Sequence, residues 1–295
     1  MKLATKTLEL LEETLVKDQG NKYRHFLAIV MPHMADSYRQ EKDGFRSHLG
    51  ASQMGHECDR ALWYGFRWHH KPKFSAKTLL LFNRGHMEEG RIIALLLAAG
   101  IGVYKSETDS EQSKISYFGG HFGGSADGIA DDIPDVPIDE KCLLEFKTHS
   151  EQSFRKLAIG VEKSHPRHFV QMQLYMGGMD LKYGLYLAVN KNNDDLYGEI
   201  IEYNALVDNR FIDRAESIIF ALKAPPKINE NPSWYLCKIC DFKNVCHYQA
   251  VPEMNCRTCY YSDPYPEGEW HCRFHDKILD KTAQLKGCND HDFIR

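Results

Sequence analysis

Residues 119–149 read GGHFGGSADGIADDIPDVPIDEKCLLEFKTH. In the run Leu143-Leu144-Glu145-Phe146-Lys147-Thr148, strand alternation puts Glu145 and Lys147 on one face and Leu144 and Phe146 on the other. The apolar pair pins the back of the strand into a core, and two charges of opposite sign project together from the front. Asp127 follows a Gly-rich turn inside a second short strand over 125–130. Residues 131–139, with Pro134 and Pro137, form the turn-rich connection. Paired as a hairpin, the two strands bring Asp127 opposite Glu145.

Two carboxylates at one point bind a hard cation through oxygen, in the manner of Mg²⁺ or Mn²⁺. A lysine beside them can hold or deprotonate an attacking water and offset charge on a phosphate. That is equipment for metal-assisted phosphodiester hydrolysis. The plain alternative is an edge hairpin whose Glu–Lys pair faces water, and E-x-K by itself is a common tripeptide. The Asp spacing does not fit a helix-flanked calcium loop.

Outward from this stretch, Leu8, Leu11 and Leu15 give residues 5–17 helical spacing. A loop over 45–55 precedes a helix over 57–68 that carries Cys58, Arg60 and Tyr64. Ser75 is an N-cap for a long helix over 76–99, which bears His86 and stops at Gly100. Strands at 103–104 and 115–122, joined by a polar turn at 109–114, lead into the hairpin. Pro166 opens a helix over 166–178, where Gln171 and Tyr175 share a face at i and i+4. A second hairpin, 183–189 and 196–203, turns through 192–195. A helix over 206–222 is stopped by Pro225-Pro226.

The chain has 295 residues, 43% of them hydrophobic, which supports one full domain with a real core plus a smaller module. The longest apolar run, 92–99, is too short to span a membrane. The N-terminus carries acids and no signal-peptide core, so the reading is a soluble, cytoplasmic protein. A net charge of −4 argues against nonspecific coating of duplex DNA. It does not argue against a nuclease, whose metal-binding carboxylates are themselves acidic. Residues 67–77 are locally basic through Arg67, His69, His70, Lys71, Lys73 and Lys77. They read equally as a phosphate-tracking segment and as a solvated loop.

Eight of the nine cysteines fall into groups spaced like metal ligands rather than like a secreted disulfide framework. The first set is Cys237-x2-Cys240-x5-Cys246, joined by distant Cys58. Four thiolates suit zinc or an iron–sulfur cluster, and spacing alone does not choose. The second is Cys256-x2-Cys259-x12-Cys272-x15-Cys288, which reads as a small zinc module, with His275 or His291 as an alternative fourth ligand. Its segment is too short for a good core without metal. Cys142 reads as core.

Asp127, Glu145-x-Lys147, His86 on the preceding helix, Gln171-x3-Tyr175 after it and the first cysteine set together resemble the PD-(D/E)XK nuclease superfamily. Within it they resemble the RecB-like exonucleases, including the CRISPR-associated and AddB-like branches. The resemblance covers residues 50–247. It implies an α/β fold: a restriction-endonuclease-like core with a mixed central sheet flanked by helices; the Cys-rich metal-binding C-terminal module that follows is read from its cysteine spacing alone. It implies His86, Asp127, Glu145 and the Phe146 carbonyl as ligands of Mg²⁺ or Mn²⁺, and Lys147 as the group that activates water. Gln171, Tyr175 and Arg60 are then DNA contacts, and Cys58, Cys237, Cys240 and Cys246 hold a [4Fe–4S] cluster. The implied activity is a metal-dependent DNA exonuclease acting on single strands or ends in DNA processing or recombination. Its setting is a prokaryotic cell or phage-infected host, alongside a recombination or CRISPR-associated partner protein. The expected organisation is a helical segment over 1–50, a nuclease domain over 51–250 and a zinc-binding tail over 251–295 on Cys256, Cys259, Cys272 and Cys288. The competing readings are a structure- or site-specific endonuclease on the same core and a nonenzymatic zinc-finger-like nucleic-acid-binding protein.

Overall fold

The computed structural model describes residues 1–34, 44–104 and 114–294. The expected turn at 109–114 lies outside the described residues, except for Lys114.

In chain order the elements begin with β1 (Lys2–Leu3), α1 (Thr5–Asp18), α2 (Asn21–Val30), β2 (Leu49–Gly50), α3 (Asp59–Phe66) and α4 (Ala76–Ala98). Next come β3 (Val103–Tyr104), β4 (Lys114–Tyr117), β5 (Phe122–Ser125), β6 (Gly128–Ala130) and β7 (Cys142–His149). Then follow α5 (Glu151–Arg155), α6 (Val161–Ser164), α7 (Pro166–Gly178), β8 (Tyr183–Asn190), β9 (Leu196–Glu202) and α8 (Ala205–Ile219). The last are α9 (Tyr235–Lys238), α10 (Lys243–Tyr248), β10 (Ser262–Pro264), β11 (Trp270–Cys272), β12 (Lys277–Leu279) and α11 (Lys281–Lys286). The chain divides into two compact units. The first holds residues 1–39, 74–115 and 124–208; the second holds 40–73, 116–123 and 209–295.

The first unit is built on a six-stranded mixed sheet in the order β1-β9-β8-β7-β6-β3. β7 and β8 run parallel, and the other neighbours are antiparallel. Parallel neighbours need a long crossover, and α5, α6 and α7 supply it. Alternation then sorts the sheet into two faces. Leu144 and Phe146 of β7, Leu185, Leu187 and Val189 of β8 and Ile200 of β9 join Leu11 of α1 and Ile92, Ile93, Leu95 and Leu96 of α4 in one buried apolar cluster. The opposite face is polar, with Glu145, Lys147 and His149 on β7 beside Tyr186 on β8 and Glu199 on β9. α4 starts as its sequence predicts, with the Ser75 side chain accepting the Thr78 N–H at 3.2 Å. α1 has no such residue, because Ala4 stands at its N-cap. Asp135, in the β6–β7 connection, does that work instead: its carboxylate accepts the Thr7 N–H at 2.7 Å and the Thr7 hydroxyl at 2.8 Å.

The second unit gathers the segment bearing Cys58, the stretch with Cys237, Cys240 and Cys246, and all of 251–295. Its tail forms a three-stranded antiparallel sheet, β10-β11-β12. Two readings are corrected here. Arg67 and His69 are not part of a solvated or phosphate-tracking loop, being 0% and 2% exposed. The Arg67 guanidinium lies over the rings of Trp63 and Trp270, and Arg257 stacks 3.9 Å from the centre of the Trp68 ring. The expected strand over 115–122 is interrupted by a tight turn at Phe118–Gly120, where Phe118 and Gly119 take φ of 51° and 62°. Gly119 is required there. A Cβ on it would sit 2.1 Å from the Glu267 carbonyl carbon and the Gly268 nitrogen.

Candidate active site

The β6–β7 register pairs Gly128 with Leu144, and continued by one residue it sets Asp127 across from Glu145. The Asp127 carboxylate is fixed by the Phe146 N–H, which donates to Oδ2 at 2.7 Å. Glu145 is fully buried. One of its oxygens accepts from the Lys147 ammonium, and the other from the Gln171 amide at 3.0 Å. Gln171 reaches it because α7 packs on the polar face of β7, and Tyr175 follows one turn later on the same side of the helix. Tyr175 is itself buried against Gly124, where a Cβ would stand 2.6 Å from the tyrosine hydroxyl.

The electrostatics are those of a charge pair taken out of water. Burial drives the Glu145 carboxyl above its ordinary range; Lys147 pulls it down and Asp127 pushes it further up. Burial alone would lower Lys147, but the Glu145 and Asp127 carboxylates outweigh it and hold the ammonium above its usual value.

His86 reaches the site from α4. Its Nδ1 lies 3.6 Å from the Glu89 carboxylate, and it lines a polar cavity of about 340 Å³ together with Glu89, Phe146, Lys147 and Thr148. Asp127 and Glu145 do not line that cavity. Lys147 is the common member, bonded to Glu145 on one side and opening on the cavity on the other. Glu88, the other acid beside His86, pairs with Arg91 at 2.9 Å. The two carboxylates and the Phe146 carbonyl are hard oxygen donors of the kind that suits Mg²⁺ or Mn²⁺, whereas the His86 imidazole is a softer donor.

Arg60 belongs to the second unit, where its guanidinium donates to the Pro225 carbonyl at 2.5 Å and the Ala224 carbonyl at 3.5 Å. Both cysteine sets also lie there, with all their thiols free. Burial raises Cys237, Cys240 and Cys246, and each is raised further by Cys58. Burial likewise pushes Cys256 up to about 11, with Cys288, Cys259 and Cys272 adding to it. Buried thiols held above their usual value by neighbouring sulfurs are donors that a bound cation would relieve. Among the described residues, His275, Cys288 and Asp290 bring their ligand atoms within 4.8 Å of one another. Asp290 was not anticipated from the sequence.

Three more residues on the polar face went unnoticed in the sequence. His149 continues the alternation Glu145, Lys147, His149, and that signal was available. Tyr186 is placed beside Glu145 only by the β7–β8 register. His168 precedes Gln171 by one turn of α7, a spacing that carries meaning only once Gln171 is seen to touch Glu145.

No family model matches the chain, and no curated protein matches it. Among solved structures, LHK-Exo in complex with dAMP is similar at a TM-score of 0.41 and 15% identity, covering 58% of this chain and 86% of its own. SSO0001 is similar at 0.43 and 15% identity, covering 74% and 95%. The alkaline exonuclease LHK-Exo from Laribacter hongkongensis is similar at 0.40 and 14% identity, covering 66% and 90%.

Proposed function

We propose that the protein is a divalent-metal-dependent DNA nuclease that hydrolyses phosphodiester bonds from strand ends. One observation carries this reading: the Asp127 carboxylate, at the bend before β6, is bonded to the β7 backbone at Phe146 close enough to Glu145 to raise it, and the buried Glu145 is held by both a lysine and a glutamine. A surface Glu–Lys pair has no need of burial, of a second carboxylate or of an amide clamp. Asp127, Glu145, His86 and the Phe146 carbonyl would hold Mg²⁺ or Mn²⁺, which when bound supplies Lewis-acid stabilisation of a phosphate and a more acidic water. Lys147 holds and orients that water and offsets phosphate charge. Gln171 fixes the Glu145 carboxylate, and Tyr175 supports the strand wall at Gly124. Arg60 has its guanidinium committed to the Pro225 and Ala224 carbonyls and is given no role in holding DNA.

Circular and end-labelled single-stranded DNA, each incubated with Mg²⁺ or Mn²⁺, test the reading. Only linear strands should be degraded. Cut circles would make it an endonuclease, and uncut DNA of both kinds would replace the enzyme with a binding protein.

The cysteine sets belong to the same proposal: a [4Fe–4S] cluster on Cys58, Cys237, Cys240 and Cys246, and zinc in the tail on Cys256, Cys259, Cys272 and Cys288. The 3.8 Å approach of His275 Nε2 to the Cys288 sulfur favours His275 as an alternative zinc ligand. Protein purified without oxygen should be brown and contain iron and sulfide. Colourless protein containing zinc alone would exclude the cluster.

A further inference from the structure

Beside the Glu145–Lys147 pair, a continuous hydrogen-bonded chain crosses the polar face of the sheet. His168 Nδ1 meets the Tyr186 hydroxyl at 2.8 Å, and that hydroxyl meets His149 Nε2 at 2.8 Å. His149 Nδ1 meets the Ser153 hydroxyl at 2.8 Å, which meets His165 Nε2 at 3.0 Å. His165 Nδ1 meets the Ser164 hydroxyl at 2.9 Å, and Ser164 ends the chain on the Gly160 carbonyl at 2.6 Å.

The last bond sets the direction of all the others. A carbonyl only accepts, so Ser164 spends its single proton on Gly160, and His165 Nδ1 must donate to Ser164. A neutral His165 then has a bare Nε2, which accepts from Ser153. Ser153 has no second proton, so His149 Nδ1 donates to it and His149 Nε2 accepts from Tyr186. Tyr186 in turn receives the proton of His168 Nδ1, which leaves His168 Nε2 with an open lone pair. The rings are packed too tightly for a cation to be shared among them. The His149 centroid is 4.6 Å from that of His165 and 5.8 Å from that of His168. Burial, with Lys147 and the neighbouring imidazoles adding to it, lowers His149 to about 4 and His168 to about 2.

We propose that this chain locks His149, His165 and His168 in the Nδ1–H tautomer, and that His168 Nε2 is thereby a hydrogen-bond acceptor for the reaction proposed above. His168 continues the Gln171–Tyr175 stripe of α7 by one turn and feels the Lys147 charge. An imidazole beside a phosphate site is ordinarily a donor to phosphate oxygen. Here the lock forbids that, so the ligand of His168 is a neutral O–H group, either the attacking water or the terminal hydroxyl of a DNA strand. The proposal rests on the nuclease reading for its chemistry and on the hydrogen bonds alone for its tautomers.

Long-range ¹H–¹⁵N NMR of the histidine-labelled full chain at neutral pH reads the tautomers directly. The three rings, assigned through single His→Asn variants, should all be protonated at Nδ1 and bare at Nε2. Ser164→Ala removes the acceptor of His165 and frees it to adopt Nε2–H. The whole chain should then reverse and protonate His168 Nε2, five hydrogen bonds away, with the circular dichroism unchanged. The same variant should lose roughly tenfold in kcat with KM little moved, the value of one hydrogen bond. A loss confined to hydroxyl-ended strands names the terminal hydroxyl as the donor; a loss shared with phosphate-ended strands names water. Nε2–H at His168 in the unaltered protein overturns the lock. A reversal that leaves kcat untouched overturns the acceptor role. A protein with the expected tautomers that cuts no DNA removes the nuclease and leaves the lock standing.

Discussion

Lys147→Met should destabilise the first unit of the metal-free protein, and the size follows from the surroundings of Glu145. That carboxylate is fully buried, and after the substitution it retains only the Gln171 bond, with Asp127 close by. Breaking a buried ion pair from one side costs about 3–5 kcal/mol, because the stranded charge stays behind. The Lys147 side chain is 25% exposed, so water already weakens the pair, and about 2–3 kcal/mol is expected. The loss must depend on pH. Burial holds the Glu145 carboxyl above its ordinary range. An acid raised in the folded state favours folding when protonated, so its contribution is present at low pH and lost as pH climbs through the raised value. Removing Lys147 raises it further. The deficit should therefore be small near about pH 5 and full near about pH 8. All four tryptophans, Trp63, Trp68, Trp234 and Trp270, lie in the second unit. In urea titrations the deficit should appear in the far-ultraviolet circular dichroism and be missing from tryptophan fluorescence. Equal stability at the higher pH, or a loss of the same size at both, would refute the claim that Glu145 is a buried charge held by Lys147.

Asp135→Ala should remove about 1–2 kcal/mol from the first unit, the usual value of a helix cap, since Ala4 cannot replace the carboxylate that receives the Thr7 N–H; thermal denaturation checks it. Gly124→Ala should push Tyr175 off its seat, because the added methyl lands 2.6 Å from the hydroxyl. Cleavage should fall by something like a hundredfold while the circular dichroism stays unchanged, and unaltered cleavage would detach Tyr175 from the active site.

Much of the first unit was legible because its signals are local. Ser75 caps α4 and Pro166 starts α7, and each acts within one turn of itself. Leu144, Glu145, Phe146 and Lys147 announce a two-faced strand by alternation alone, and a hairpin turn places Asp127 near Glu145, whereas the bond from Gln171 to Glu145 is seen only in the folded chain. Most of what escaped depended on distant partners. α2 is an exception: it begins after Gln19 and Gly20, both left-handed at φ of 55° and 75°, and its first N–H groups are received by the Asp18 carboxylate at the end of α1, not by a residue at its N-cap. The break at Phe118–Gly120 answers to Gly268, far along the chain. Arg67 looked solvated because the rings that cover it come partly from residue 270. The tautomer chain was invisible for the same reason, since Tyr186 joins His149 to His168 only after two strands pair in parallel.

The aromatic and guanidinium stack of the second unit has a bearing on biosynthesis. Trp63, Arg67 and Trp68 leave the ribosome well before Arg257 and Trp270, which cover them and lie far along the chain. The first unit ends at residue 208 and can close while synthesis continues. The segment 63–68 cannot; its buried charge and rings stay exposed until residues 257–270 have followed. Such long-range closure is slow, and the waiting surface is apolar and prone to stick. A chain interrupted shortly before Arg257 is therefore a client for chaperones, and the yield of the protein in a foreign host will be governed by residues 257–270 more than by the first unit.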